Sequence, residues 1–128
     1  AMLERRREII KKYDDAFKPL GIKTLRHYTD EYKSSGHLYI TRVPNITTEE
    51  RNDIIIKMAE RGIACNVHYK PLPLHTAYKN LGFQVKNYPN AYANFANEIT
   101  LPLHTCLTDE EAEYVIKNYS EIVKEYIQ

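Results

Sequence analysis

The stretch Thr108–Tyr126 constrains the fold more than any other part of the sequence. Thr108 and Glu111 stand three apart, the spacing at which a threonine oxygen and a glutamate carboxylate satisfy each other's free backbone amides at a helix start. Behind them Ala112, Val115, Ile116, Tyr119, Ile122, Val123 and Tyr126 recur at intervals of three and four. That is one apolar stripe along a helix, and it has to be buried against another element. The same start signal recurs at Thr47 and Glu50, ahead of Ile54, Ile55, Met58 and Ala59, with Gly62 as the stop. Near the start, Ile9, Tyr13, Phe17 and Leu20 keep helical spacing until Pro19 and Gly21 end it.

Between these helices the pattern changes. His37–Val43 is rich in β-branched and aromatic residues and predicts a strand, stopped by Pro44 and Asn45. Ile63–Val67 and Ile99–Leu103 predict two shorter strands. Gly21–Gly36 is a polar connection with weak strand character. Leu74, Ala77, Tyr78 and Leu81 predict a short helix closed by Gly82, and Pro89 suits the first turn of another that carries Ala91, Tyr92 and Phe95. The expected fold is α/β of the α+β type: a small three-stranded sheet with helices on one face, and the other face turned toward another domain.

Length and charge narrow the function classes. At 128 residues the chain is one domain, residues 1–128. The hydrophobic share of 43% supports a core. The 18 basic and 17 acidic residues give a formal charge of +1, so the total calls for neither a nucleic-acid nor a membrane partner. Locally, residues 4–12 carry five basic and two acidic side chains. They read as the wet side of an amphipathic helix rather than a basic arm. Two cysteines, Cys65 and Cys106, make no disulfide framework, and no charged-then-apolar leader opens the chain. A reducing, cytoplasmic setting is expected. Ala1 ahead of Met2 reads as a cloning remnant, so a piece of something longer is expected.

Few residues suggest chemistry. His68–His75 follows a strand, precedes a helix, and holds His68, Tyr69, Lys70 and His75 on a loop stiffened by Pro71 and Pro73. Stiff loops at strand ends lose little entropy on contact and suit binding groups. The alternative is a turn whose side chains are satisfied by neighbouring backbone. No His-Glu-x-x-His, Cys-x-x-Cys, glycine-rich phosphate loop or Gly-x-Ser-x-Gly elbow is present, so no metal site and no self-sufficient catalytic set is expected.

An ordered series of short motifs adds to this. His37-Leu38-Tyr39, Arg51, Arg61-Gly62-Ile63, His68-Tyr69-Lys70-Pro71-Leu72, Tyr88-Pro89-Asn90-Ala91, Leu101-Pro102-Leu103-His104 and Leu107-Thr108-Asp109-Glu110-Glu111 occur in this order, within a resemblance that runs from about Arg5 to Ile127. Together they resemble the C-terminal small domain of the DegT/DnrJ/EryC1/StrS aminotransferases, pyridoxal-phosphate-dependent sugar aminotransferases of fold type I. The resemblance implies a parent that moves an amino group from glutamate to a keto-sugar nucleotide in amino-sugar or surface-polysaccharide synthesis, and that works as a homodimer. In the family a large domain holds pyridoxal 5'-phosphate, with the Schiff-base lysine and the aspartate that pairs with the pyridine nitrogen. Neither motif occurs here, so no catalytic or cofactor-binding residue, and no activity of this chain alone, is expected.

By the same resemblance His68 and Tyr69 would line the sugar-nucleotide pocket and Lys70 would meet the diphosphate. His37 and Tyr39 are further substrate candidates. Arg42 would take a carboxylate of glutamate. Many members carry a second histidine in the pattern His-Tyr-x-Pro-x-His. Here Pro73 takes that place, and His75 follows two residues later. Faces normally covered by the large domain should show as an exposed apolar patch. A stand-alone binding or regulatory module of the same fold is the alternative.

Overall fold

The computed structural model describes residues 1–127. Helix α1 (Met2–Phe17) runs into a tight 3-10 turn at Lys18–Leu20, and Gly21 in the left-handed region (φ 80°) turns the chain away. Strand β1 (Lys23–Thr24) and strand β2 (Tyr39–Arg42) follow, then helix α2 (Thr48–Glu60). Two short helices, α3 (Thr76–Asn80) and α4 (Pro89–Ala96), precede strand β3 (Glu98–Leu101) and helix α5 (Asp109–Lys124). Both capping boxes form. The Thr47 amide donates to Glu50 at 2.7 Å, and the Thr108 amide donates to Glu111 at 2.9 Å.

The sheet order is β1-β2-β3, antiparallel throughout. Tyr39 pairs with Leu101 and Thr41 with Ile99. Side chains alternate across a strand, so these four share one face and are buried. Helices α1 and α5 pack on that face. Tyr13 and Phe17 of α1 meet the Tyr39 ring, and the Tyr119 ring of α5 meets Phe17 edge-on at 5.2 Å. Helix α2 brings Ile54 and Met58 into the same core. The basic side of α1 is paired with the start of α5, where Asp109 meets Arg5 at 2.9 Å and Lys12 at 3.3 Å. The opposite sheet face carries Ile40, Arg42, Glu98 and Thr100; Asn94 of α4 reaches Arg42 from one side, and Ile40 and Arg42 stay half-buried.

The expected sheet is corrected in its membership. Ile63–Val67 does not form a strand. It contributes one bridge, in which Asn66 and Thr100 exchange both backbone hydrogen bonds at 3.1 and 2.8 Å. The next pair of that ladder would join His68 to Glu98. There the His68 amide goes to the Glu98 side chain instead, while the Glu98 carbonyl accepts from Arg51. A carboxylate and a guanidinium thus end the ladder, and β1, from the weakly patterned segment, supplies the third strand. The expected Leu74–Leu81 helix is also corrected. A 3-10 turn at Leu72–Leu74 breaks it from α3, and no residue of α3 is buried. Its apolar stripe finds no core. Tyr69, Leu72, Leu81, Phe83, Tyr88 and Tyr92 all stand exposed along the same excursion.

Candidate functional site

The uncovered sheet face forms one wall of a cavity of about 640 Å³. Its walls include Lys23 from β1, Ile40 and Arg42 from β2, Glu98 from β3, Asn94 from α4 and His68 from the loop after Val67. Position in the strand decides who is there. Lys23, Arg42 and Glu98 are register partners across three strands, so their side chains emerge on one side of the sheet.

Arg42 donates from Nη1 to the Asn94 side-chain oxygen. No carboxylate pairs with Arg42 or Lys23 among the described residues, whereas Lys18 at the cavity edge is held by Asp14 at 2.7 Å. Two cations are thus left for an anion. Arg42 has the planar fork that fits a carboxylate or phosphate, and Lys23 is a point charge.

Glu98 is nearly fully buried (2% exposed). Burial pushes its carboxyl above the usual range. Donation from the Thr100 hydroxyl and the His68 amide, and the positive charge of Arg51, pull the other way. Arg51 itself is buried on α2 and anchors the region. It donates to the Phe95 carbonyl in the last turn of α4 at 3.0 Å and to the Glu98 carbonyl at 3.3 Å, and lies 4.8 Å over the Phe95 ring. A cation at a helix C-terminus satisfies carbonyls the helix cannot. This clamp fixes β3 against α4 beneath the cavity.

His68 is half-buried, with Nδ1 2.8 Å from the Thr100 hydroxyl oxygen. The Tyr69 ring meets it edge-on at 4.6 Å and is itself 75% exposed. The structure therefore brings His68 and Arg42 to one cavity, while Tyr69 touches His68 but is not among the cavity walls. Lys70 is exposed on the same loop, and its carbonyl accepts from Nε2 of the exposed His75 at 3.3 Å. His37 is exposed, and only its backbone carbonyl is engaged, by Arg6. Tyr39 departs from expectation. It is fully buried on the helix-covered face, with its hydroxyl donating to Asp14 at 2.7 Å. Strand alternation puts it opposite to Arg42, so it is a core residue with no surface to offer a ligand.

Sequence reasoning missed Lys23, Asn94, Glu98 and Thr100. Glu98 had a signal. It is the one acid of a strand that otherwise reads Ile-Thr-Leu. No group of three or more His, Cys, Asp or Glu side chains is placed to hold a metal among the described residues. Burial raises the Cys65 thiol to about 12, which leaves it inert. No helix among the described residues is long and apolar enough to cross a membrane.

Residues 1–120 match the family model described as the DegT/DnrJ/EryC1/StrS aminotransferase family. Among solved structures, the chain resembles Spr1654 of Streptococcus pneumoniae, described as a sugar aminotransferase, in its PLP form. The two are 54% identical with a TM-score of 0.94, over 99% of this chain and 32% of that one. The Bacillus subtilis spore coat polysaccharide biosynthesis protein SpsC is 29% identical over 96% of this chain and 32% of its own length. The UDP-4-amino-4,6-dideoxy-N-acetyl-beta-L-altrosamine transaminase of Helicobacter pylori is 30% identical over 89% of this chain and 30% of its own length. The chain spans about a third of the length of the relatives it matches.

Proposed function

The chain belongs to the DegT/DnrJ/EryC1/StrS aminotransferase family, and from that premise we propose that it is the C-terminal small domain of a sugar aminotransferase that captures a nucleotide-sugar substrate. The whole protein transfers an amino group from glutamate to a keto-sugar nucleotide, works as a homodimer, and sits in the cytoplasm. The H. pylori relative, a transaminase named for a UDP-sugar, supports the nucleotide-sugar class. SpsC supports a role in polysaccharide synthesis.

One observation carries the reading. His68 and Arg42 come from different elements, yet both wall the cavity on the uncovered sheet face, beside the unpaired Lys23. That face offers a cationic side for a diphosphate or carboxylate and a hydrogen-bonding side for a sugar. Tyr69, exposed next to His68, can pack on a sugar ring held there, and Lys70 can meet the diphosphate from outside. The exposed apolar side chains from Tyr69 to Tyr92 support a further protein surface covering this end.

Every lysine here is exposed or half-buried and none lies in the Schiff-base context of the family, so we assign pyridoxal 5'-phosphate to the part of the parent outside this chain. The group carries the amino group between substrates where it is bound, and no step through it is assigned to this chain.

The test is amination of keto-sugar nucleotides by the whole protein, with His68→Ala and Tyr69→Ala introduced together. The reading expects a rise in KM for the sugar nucleotide and an unchanged first half-reaction with glutamate. Wild-type kinetics for every nucleotide sugar tried would remove both residues from the site.

A further inference from the structure

Three groups beneath the cavity form one hydrogen-bonded chain. Glu98 Oε2 accepts the His68 backbone amide at 2.8 Å, and Glu98 Oε1 accepts the Thr100 hydroxyl. Thr100 is 5% exposed, so water has almost no access to this hydroxyl. A hydroxyl has one proton to give. Thr100 gives it to the carboxylate, so its 2.8 Å contact with His68 Nδ1 is a hydrogen bond only if the imidazole donates. Nδ1 then carries the ring proton, and Nε2 of the neutral ring keeps its lone pair. Nε2 has no hydrogen-bond partner among the described residues, and the ring lines the cavity.

We infer that Glu98 and Thr100 are positioning residues that hold His68 as the Nδ1–H tautomer, with Nε2 as an acceptor for a hydrogen-bond donor of the ligand. A sugar hydroxyl or amine can supply that donor. An ionised phosphate oxygen cannot, and it meets only a lone pair there. The ligand is thereby oriented, with its hydroxyl-bearing end at His68 and its anionic end at Arg42 and Lys23. The ligand assignment rests on the substrate reading above, while the tautomer does not.

The sense of the chain is set by its acceptor end, and Glu98→Gln reverses it. The amide oxygen keeps the His68 amide, and the amide nitrogen donates to Thr100. The buried Thr100 hydroxyl proton, no longer taken by a carboxylate, then finds its acceptor at Nδ1, and the ring proton moves to Nε2. Thr100→Val removes the link and returns the ring to the Nε2–H form that free imidazole prefers. Thr100→Ser retains it.

The experiment is long-range nitrogen–proton NMR of the His68 ring at neutral pH, on the 128-residue chain labelled at histidine. The wild-type ring is expected to be protonated at Nδ1, with Thr100→Ser the same and Glu98→Gln reversed. A wild-type ring protonated at Nε2 overturns the inference without any variant, and so does a Glu98→Gln ring that matches wild type. In the whole protein, Thr100→Val should raise KM for the sugar nucleotide about tenfold, the value of one lost hydrogen bond, with kcat little changed and Thr100→Ser restoring it. An unchanged KM beside the expected tautomers overturns the ligand assignment. A failure of the substrate reading alone would leave the tautomer and its reversal in place.

Discussion

The hydroxyls of Thr41 and Tyr119 meet 2.7 Å apart in the core, and the direction of their hydrogen bond is fixed. Thr41 spends its proton on the Ile99 carbonyl at 2.6 Å, so Tyr119 is the donor to Thr41. Tyr119 is fully buried, and burial drives its hydroxyl well above the ordinary tyrosine range. Thr41→Val strands that hydroxyl without an acceptor, a loss of about 1–3 kcal/mol. Tyr119→Phe leaves the Thr41–Ile99 bond standing and should cost less. Urea unfolding of both variants checks the order. A Tyr119→Phe loss equal to or above that of Thr41→Val contradicts the assigned direction.

Gly36 is expected to be the least replaceable glycine. Its backbone sits in the left-handed region (φ 63°), and a Cβ there would lie 2.8 Å from Ile10 Cδ1 on α1. Gly21 also has a left-handed backbone (φ 80°), but a Cβ there meets nothing within 4 Å. Gly21→Ala should cost roughly 1–2 kcal/mol for the backbone alone. Gly36→Ala should cost that and the displacement of Ile10 besides. Equal midpoint shifts in urea would show that the segment ahead of β2 is not seated on α1.

The buried carboxyl of Glu98 gives a pH signature with a definite sign. Burial, acting first, raises its pKa in the folded chain. The Thr100 hydroxyl, the His68 amide, the His68 ring where it is protonated and the charge of Arg51 oppose it. Arg42 faces it across the β2–β3 pair. Between the ordinary glutamate value and the raised one, the folded chain holds a proton that the unfolded chain has released. Stability from this group therefore falls as pH rises through that window. Glu98→Gln has no such proton. The variant's stability minus that of wild type should climb with pH across the window and flatten above it. The lowered carboxyls of Asp53 and Asp109 act in both proteins and cancel in the difference. Unfolding free energies measured from about pH 4 to pH 8 would refute the account if the difference were flat or descending.

The elements legible in the sequence are those whose periodicity and caps agree. Thr47 with Glu50 and Thr108 with Glu111 placed the starts of α2 and α5 to the residue, because reciprocal capping has a fixed spacing and the stripes behind it have a core to meet. The Leu74–Leu81 pattern had the right spacing but nothing to bury against, and the turn at Leu72–Leu74 interrupts it. The strand at Ile63–Val67 was misread because a side-chain carboxylate, not backbone, takes the His68 amide. A propensity pattern cannot anticipate that. His68 and Arg42, candidates by resemblance, line one cavity, whereas Lys23 and Glu98 join them there only through register, which appears once β1 and β3 are paired with β2. Tyr39, a substrate candidate by resemblance, is turned into the core by the same register.

The central claim is that the uncovered sheet face takes the sugar nucleotide between His68 and the cations Arg42 and Lys23. Its most direct test is kcat/KM for amination of a keto-sugar nucleotide by the whole protein carrying Arg42→Ala and His68→Ala together. Loss of a charged and a neutral hydrogen bond predicts a fall of about 100-fold or more, with the fold unchanged by circular dichroism. A folded double variant that retains wild-type kcat/KM would place the substrate elsewhere.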